Sequence, residues 1–124
     1  MRTHQARCSA TTKEVYDFVD LTEQVQSALD ESGISDGQVT VFVPEASCAI
    51  LVNERERGLL EDIKRMIGRL DSNGSGVRAG LVGTTSVVLP AVEGRIRLGT
   101  WQRVLLLELE SASSRSVVVQ IVGE

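Results

Sequence analysis

The sequence predicts an α+β fold in which two helices pack on a mainly antiparallel system of β-sheets. Two stretches, about 21–32 and 56–70, repeat apolar residues at helical spacing. The other apolar residues fall in short, β-branched runs bounded by turn-forming residues. Four such runs crowd the last third of the chain, with Glu93-Gly94 where a hairpin turn is needed. A length of 124 residues with 42% apolar residues suits one domain, 1–124, with one core. Aromatic residues make up only 3%, so Val, Leu, Ile and Ala must build that core.

The elements follow in order. Residues 6–20 hold two short candidate strands split by Thr11-Thr12. Asp20 precedes Leu21 and is followed three places on by Glu23, the spacing of a capping box. Leu21, Val25, Ala28 and Leu29 then form a helical stripe that Gly33 stops. Val39–Val43 and Cys48–Val52 read as strands interrupted by Pro44-Glu45-Ala46. The second helix carries Leu59, Leu60, Ile63, Met66, Ile67 and Leu70 on one apolar stripe. Asp71–Gly76 is a loop by composition. Ser86–Leu89, Arg95–Leu98, Arg103–Leu109 and Ser116–Val122 complete the strands. Leu105-Leu106-Leu107 and Val117-Val118-Val119 do not alternate with polar residues, so these strands need cover on both faces. Two helices can cover one face; a second sheet or a neighbouring subunit must cover the other, which points to an oligomer.

Charge and composition exclude several classes. A net charge of −4 and a pI near 5.0 do not suit a nucleic-acid partner, whose phosphates require a basic face. The start, MRTHQARCSATTKEV, lacks the apolar segment of a secretory signal, and no run approaches the roughly 18 apolar residues of a membrane span. A cytoplasmic protein without a membrane partner is expected. Cys8 and Cys48 are far apart and fit no ligand spacing, which suits small apolar groups in a reducing compartment. The sole histidine, His4, lies in a segment expected to fray and to leave it in solvent. With no Cys/His or Asp/His cluster, neither a metal nor a cofactor is expected. The chain also has no P-loop, no G-x-G-x-x-G and no G-x-S-x-G.

A few polar residues stand out. Asn53 and Glu54 end an apolar strand and lead into a helix, the place for a site or simply for a cap. Glu56, Glu61 and Asp62 occupy the early turns of the second helix, where the macrodipole favours negative charge. Glu56 and Glu61 read as a solvated face, whereas apolar neighbours crowd Asp62. Gly99-Thr100-Trp101-Gln102 joins two strands and carries the only Trp, which can stack on a flat ligand or fill a core or an interface.

Phe42-Val43-Pro44-Glu45-Ala46-Ser47-Cys48-Ala49-Ile50-Leu51-Val52-Asn53-Glu54 resembles the F-V-P-H-T-T/S-A-A/S-x-x-x-N-E segment of the YjbQ-like proteins, also called the secondary thiamine-phosphate synthase family. Gly58–Ile63 resembles that family's G-L-L-E-D-I/L, and Leu81-Val82-Gly83 with Ser86–Pro90 its L-L-G-x-S-x-x-I/V-P. Gly94–Arg103 resembles G-x-L-x-L-G-T-W-Q-x, Glu108 matches the Glu of the following strand, and Val122-Gly123-Glu124 matches the family's ending. The resemblance implies a sandwich-like arrangement of antiparallel sheets with two helices. It also implies a homotrimer with pockets at subunit junctions. Carried onto this chain, it marks Glu45, Asn53, Glu54 and Asp62 as catalytic candidates, and Ser47, Arg78, Thr100, Trp101 and Gln102 as substrate-binding ones.

The departures from the family pattern bear on function. Glu45 stands where the family has a histidine, the family's Y-x-H segment falls where this chain has only Asp71–Gly76, and Gly76 replaces a third histidine while Arg78 keeps a basic residue. Imidazole serves both as metal ligand and as near-neutral acid or base, and neither Glu45 nor Gly76 restores both roles. This loss points to a divergent, non-catalytic member acting as a structural or binding homo-oligomer. The retention of Asn53, Glu54 and Thr100–Gln102 points instead to an enzyme on a small phosphate-bearing substrate, with weak thiamine-phosphate synthase-like activity. In that reading Arg78 holds a small anionic ligand and a carboxylate acts as base. A sensor that stacks its ligand on Trp101 is a third alternative. The resemblance places Glu45, Asn53, Glu54 and Arg78 at a shared cavity, near Thr100 and Trp101 of the same or a neighbouring subunit, where Arg78 opposite two carboxylates forms either a binding site or a neutral structural cluster.

Overall fold

A computed structural model describes residues 1–70 and 84–124; the loop expected over Asp71–Gly76 and the candidate Arg78 lie outside them. In chain order the elements are β1 (Arg2–Thr11), β2 (Phe18–Asp20), α1 (Thr22–Ser32), β3 (Gly37–Phe42), β4 (Cys48–Glu54), α2 (Arg57–Leu70), β5 (Ser86–Val92), β6 (Arg95–Ile96), β7 (Gln102–Glu108) and β8 (Ser114–Gly123). The strands form two sheets, one ordered β1-β8-β3-β5-β6 and one ordered β2-β7-β4. Every strand pairing in them is antiparallel. The expected α+β class with antiparallel sheets and two helices is what the chain adopts.

The layers explain the patterning. The inner face of the five-stranded sheet carries Cys8, Ala10, Val39, Val41, Leu89, Ala91, Val117, Val119 and Ile121. It packs against Val25, Ala28 and Leu29 of α1, and against Cys48, Ile50, Val104 and Leu106 of the smaller sheet. The opposite face of that smaller sheet, with Ala49 and Leu107, packs on Ile63 and Ile67 of α2. Thus Leu105-Leu106-Leu107 is apolar on both faces because β7 is the middle strand of a sheet covered twice within the chain. The helices do not share one face of a sheet, as the sequence suggests; they lie in different layers. The strand β8 differs from β7: among the described residues no layer lies above its outward Val118.

Local departures have physical causes. β1 begins at Arg2 and pairs with β8 along its whole length, from Arg2↔Gly123 to Thr11↔Ser114. His4 is therefore held in a strand opposite Ile121, half-buried, with its Nε2 buried and without a hydrogen-bond partner among the described residues, rather than frayed into solvent. The capping box does not form. Asp20 Oδ1 accepts the N–H of Thr22 at 3.0 Å, but Glu23 reaches Arg103 instead of the backbone before the helix. Gly33 ends α1 with φ 69°, the left-handed stop its position predicts. On α2, Met66 and Leu70 stay exposed at 64% and 50%, because a three-stranded sheet roughly 10 Å wide supports only part of the apolar stripe.

Helix α1 also reaches both edges of the five-stranded sheet. Gln24 Oε1 accepts the Ser9 N–H at 3.0 Å while its Nε2 donates to Ser9 O at 2.9 Å on β1. Gln26 does the same at the other edge, accepting from Ile96 N–H at 3.1 Å and donating to Gly94 O at 2.9 Å. Each side-chain amide imitates a neighbouring strand at one point of an open edge.

Candidate functional site

The candidate residues divide between the two ends of β4. At its start, Cys48 and the preceding Glu45 lie beside a buried charged cluster. Glu108 is fully buried at the end of β7, opposite Cys48 in register. Arg115, at the start of β8, donates to both of its oxygens, Nε to Oε1 at 2.9 Å and Nη2 to Oε2 at 2.7 Å. The buried Thr12 hydroxyl donates to Glu108 Oε1 at 2.7 Å and accepts the Ser113 N–H at 2.9 Å. Glu45 lies 3.6 Å from Arg115 through its Oε2. Burial works against ionising Glu108, but the Arg115 guanidinium and the Thr12 hydroxyl outweigh it and hold the carboxyl below its usual range. Arg115 and Thr12 were not singled out from the sequence. The signal was present, since Arg115 shares the inward parity of Val117, Val119 and Ile121, and a basic side chain there demands a buried carboxylate.

The Cys48 thiol is pushed up to about 11, first by burial and then by the neighbouring Glu108 charge. Burial also raises Cys8. Neither thiol can supply a thiolate near neutral pH. At pH 8, Ellman's reagent is expected to leave both cysteines of the native protein unmodified and to titrate both after unfolding. Rapid native reaction of Cys48 would contradict its place in the core.

At the other end of β4, Asn53 and Glu54 continue the strand and pair with Arg103 and Gln102. Here a cavity of about 580 Å³ is lined by Glu54, Arg55, Glu56, Thr100, Trp101 and Arg103. The Gly99–Gln102 turn builds its wall. Gln102 N–H donates to Gly99 O at 3.0 Å, and Gln102 Oε1 accepts the Gly99 N–H at 2.7 Å. The Gln102 side chain thus locks the turn, and Thr100 and Trp101 stand at its tip with Trp101 74% exposed. Arg103 donates Nε to Asp20 Oδ2 at 2.8 Å and Nη2 to Glu23, while Arg55 lies 3.6 Å from the same Asp20. Burial opposes ionisation of Asp20, yet the Thr22 N–H and hydroxyl and the Arg103 guanidinium hold its carboxyl low. Glu56 caps α2, both oxygens accepting N–H groups, from Gly58 and from Leu59, at 2.8 Å each.

Glu54, Thr100 and Trp101 therefore share one cavity, with Asn53 adjacent in the sheet. Glu45 and Ser47 do not join them, because the length of β4, about 20 Å, separates the two groups within one chain. They can converge only where two subunits meet. Asp62 lies on neither side: it is exposed on α2 and pairs with Arg65, so its apolar neighbours do not crowd it. Among the described residues no group of three His, Cys, Asp or Glu side chains is placed to hold a metal ion, and no helix is long and apolar enough to cross a membrane.

Fold and site together define a small two-sheet α+β protein with an aromatic cavity at one end and a buried ion-pair cluster at the other. The family described as UPF0047 protein YjbQ-like matches residues 6–124, and the chain belongs to that family. A UPF0047 protein of Archaeoglobus fulgidus is 39% identical over 123 residues, covering 89% of this chain and 94% of the relative. The crystal structure of a YbjQ-like protein of unknown function from Sulfolobus solfataricus superposes with a TM-score of 0.91 at 32% identity, over 99% of both chains. A hypothetical protein from Aeropyrum pernix superposes with a TM-score of 0.87 at 33% identity, over 100% of both.

Proposed function

We propose that this chain is a divergent, non-catalytic member of its family that acts as a structural or binding homo-oligomer in the cytoplasm. The observation that carries the reading is the outer face of the five-stranded sheet. On β1, β8, β3 and β5 the outward-facing residues include one charge, Arg7, in a chain that is 24% charged. Phe42 and Val88 on that face are 40% and 56% exposed, beside Val118 and Val122. Depletion of charge marks the core of a protein interface. Such a face meets a neighbouring subunit without the repulsion that a net charge of −4 imposes elsewhere. The trimer implied by the family resemblance is the expected assembly. Sedimentation at micromolar concentration should give a trimer that Val88→Glu dissociates; a stable wild-type monomer refutes the proposal.

The second reading, an enzyme acting on a small phosphate-bearing substrate in an inter-subunit pocket, draws on Glu54, Thr100 and Trp101 sharing one cavity. It requires positive charge that Arg103 does not supply, since Asp20 and Glu23 already engage it, and that Arg55 supplies only in competition with Asp20 at 3.6 Å. Arg78 or a neighbouring subunit would have to bring it. If Arg78→Ala abolishes binding of phosphate-bearing metabolites without loss of thermal stability, this reading gains. If the variant loses stability and keeps that binding, Arg78 is structural.

A further inference from the structure

We propose that the cavity beside Trp101 takes an organic cation, a quaternary or protonated amine that stacks on the indole with Glu54 as its counter-charge. The inference rests on the binding reading above and names the ligand class for that site.

The charge around the cavity points this way. Two carboxylates, Glu54 and Glu56, and two guanidiniums, Arg55 and Arg103, line it, and Asp20 and Glu23 meet the guanidiniums from outside that lining. Asp20 and Glu23 both hold Arg103, and Asp20 also stands 3.6 Å from the more exposed Arg55, so an entering anion competes with carboxylates already in place. The Glu56 carboxylate is turned back onto the first N–H groups of α2, which also withdraws that helix end from anion binding. The Glu54 carboxylate has no ion-pair partner among the described residues, although Glu54 sits directly opposite Gln102, next to the indole. With Arg103 tied to carboxylates and Glu56 turned onto the helix end, the unpaired Glu54 carboxylate beside the indole favours a cation over a phosphate.

Trp101 supplies the second half of the recognition. It is the only Trp of the chain, and it is held out 74% exposed by a turn that Gln102 braces from within. The face of an indole is the best aromatic surface for a cation, and the contact strengthens as water is excluded. A cavity of about 580 Å³ lies within the range of small-ligand sites, roughly 300–1,000 Å³.

The test titrates the assembled wild-type protein with benzyltrimethylammonium, followed by calorimetry and by the emission of Trp101, its only indole. Saturable binding that weakens with salt is expected. Glu54→Gln should weaken it about threefold to fivefold, and Trp101→Leu about tenfold or more by calorimetry. Both side chains are exposed, so neither change endangers the fold. Phenyl phosphate should give no saturable signal. Binding of phenyl phosphate and not of the cation overturns the proposal while leaving a ligand site in place. Binding of neither probe overturns it as well, and acrylamide quenching then separates two cases. A shielded indole is a subunit contact, and the binding reading falls with the proposal; a quenchable one leaves that reading to another ligand class.

Discussion

Glu108→Gln is expected to lower the free energy of unfolding by about 3 kcal/mol, because it removes the buried carboxylate that accepts both Arg115 donors and leaves only the more exposed Glu45 and Glu110, at 3.6 and 3.9 Å. Arg115→Met should cost a similar amount by stranding the carboxylate. The double replacement Glu108→Gln with Arg115→Met removes both charges and should recover much of the loss, since a buried pair is costly to break and cheaper to replace. Denaturant midpoints of the four proteins test this, and additive losses in the double variant would show that the two groups do not act as a pair. The same cluster sets an acid limit. Glu108 has a folded pKa below its unfolded value of about 4.5, so its contribution is complete above that pH and is lost as pH falls through the folded pKa. Asp20, lowered from 3.8, adds a loss of the same sign further down. Wild-type stability should therefore decline below about pH 4.5. Glu108→Gln should flatten the upper part of that decline.

Gly123→Ala should cost about 3 kcal/mol. Gly123 of β8 lies opposite Gly37 of β3, and a Cβ on Gly123 would sit 2.1 Å from Asp36 O and 2.8 Å from Gly37 Cα. A Cβ on Gly37 would sit 2.0 Å from Val122 O. The obstructing atoms are backbone, so no rotamer relieves the overlap and the strands must part. Parting them endangers the bonds that tie the next residue into place, Glu124 N–H to Asp36 O at 2.9 Å and Ser35 N–H to Glu124 O at 2.8 Å. Gly68→Ala provides a control of opposite sign. Its Cβ would meet only Tyr16 Cε2 at 3.7 Å, and Ala in place of Gly within α2 should add up to about 1 kcal/mol. Thermal melting of the two variants checks both, and equal Tm values would refute the assignment of Gly123 to a backbone contact.

Much of the secondary structure was legible in the residues. Both helices and most strands lie where periodicity puts them, because apolar spacing of 3.6 or 2 is a property of neighbouring residues. The doubly apolar Leu105-Leu106-Leu107 also announced a strand covered on both faces. The helix stop at Gly33 and the turn at Glu93-Gly94 were readable for the same local reason. The candidate site was legible in part: Asn53, Glu54 and Gly99-Thr100-Trp101-Gln102 come together because they end and begin strands that pair.

Pairing itself was decided elsewhere. Local patterning does not say that β8 lies between β1 and β3, and that register alone brings Gly123 onto Gly37 and keeps His4 in a strand. Nor does it say that Arg115 faces Glu108, or that Glu45 stands beside this cluster and far from Glu54. The sequence by itself determined which segments are helix and strand and which faces must be dry. The tertiary structure decided which charge meets which, because an ion pair or a backbone contact depends on strand order and register, and these are set by the joint burial of many distant residues.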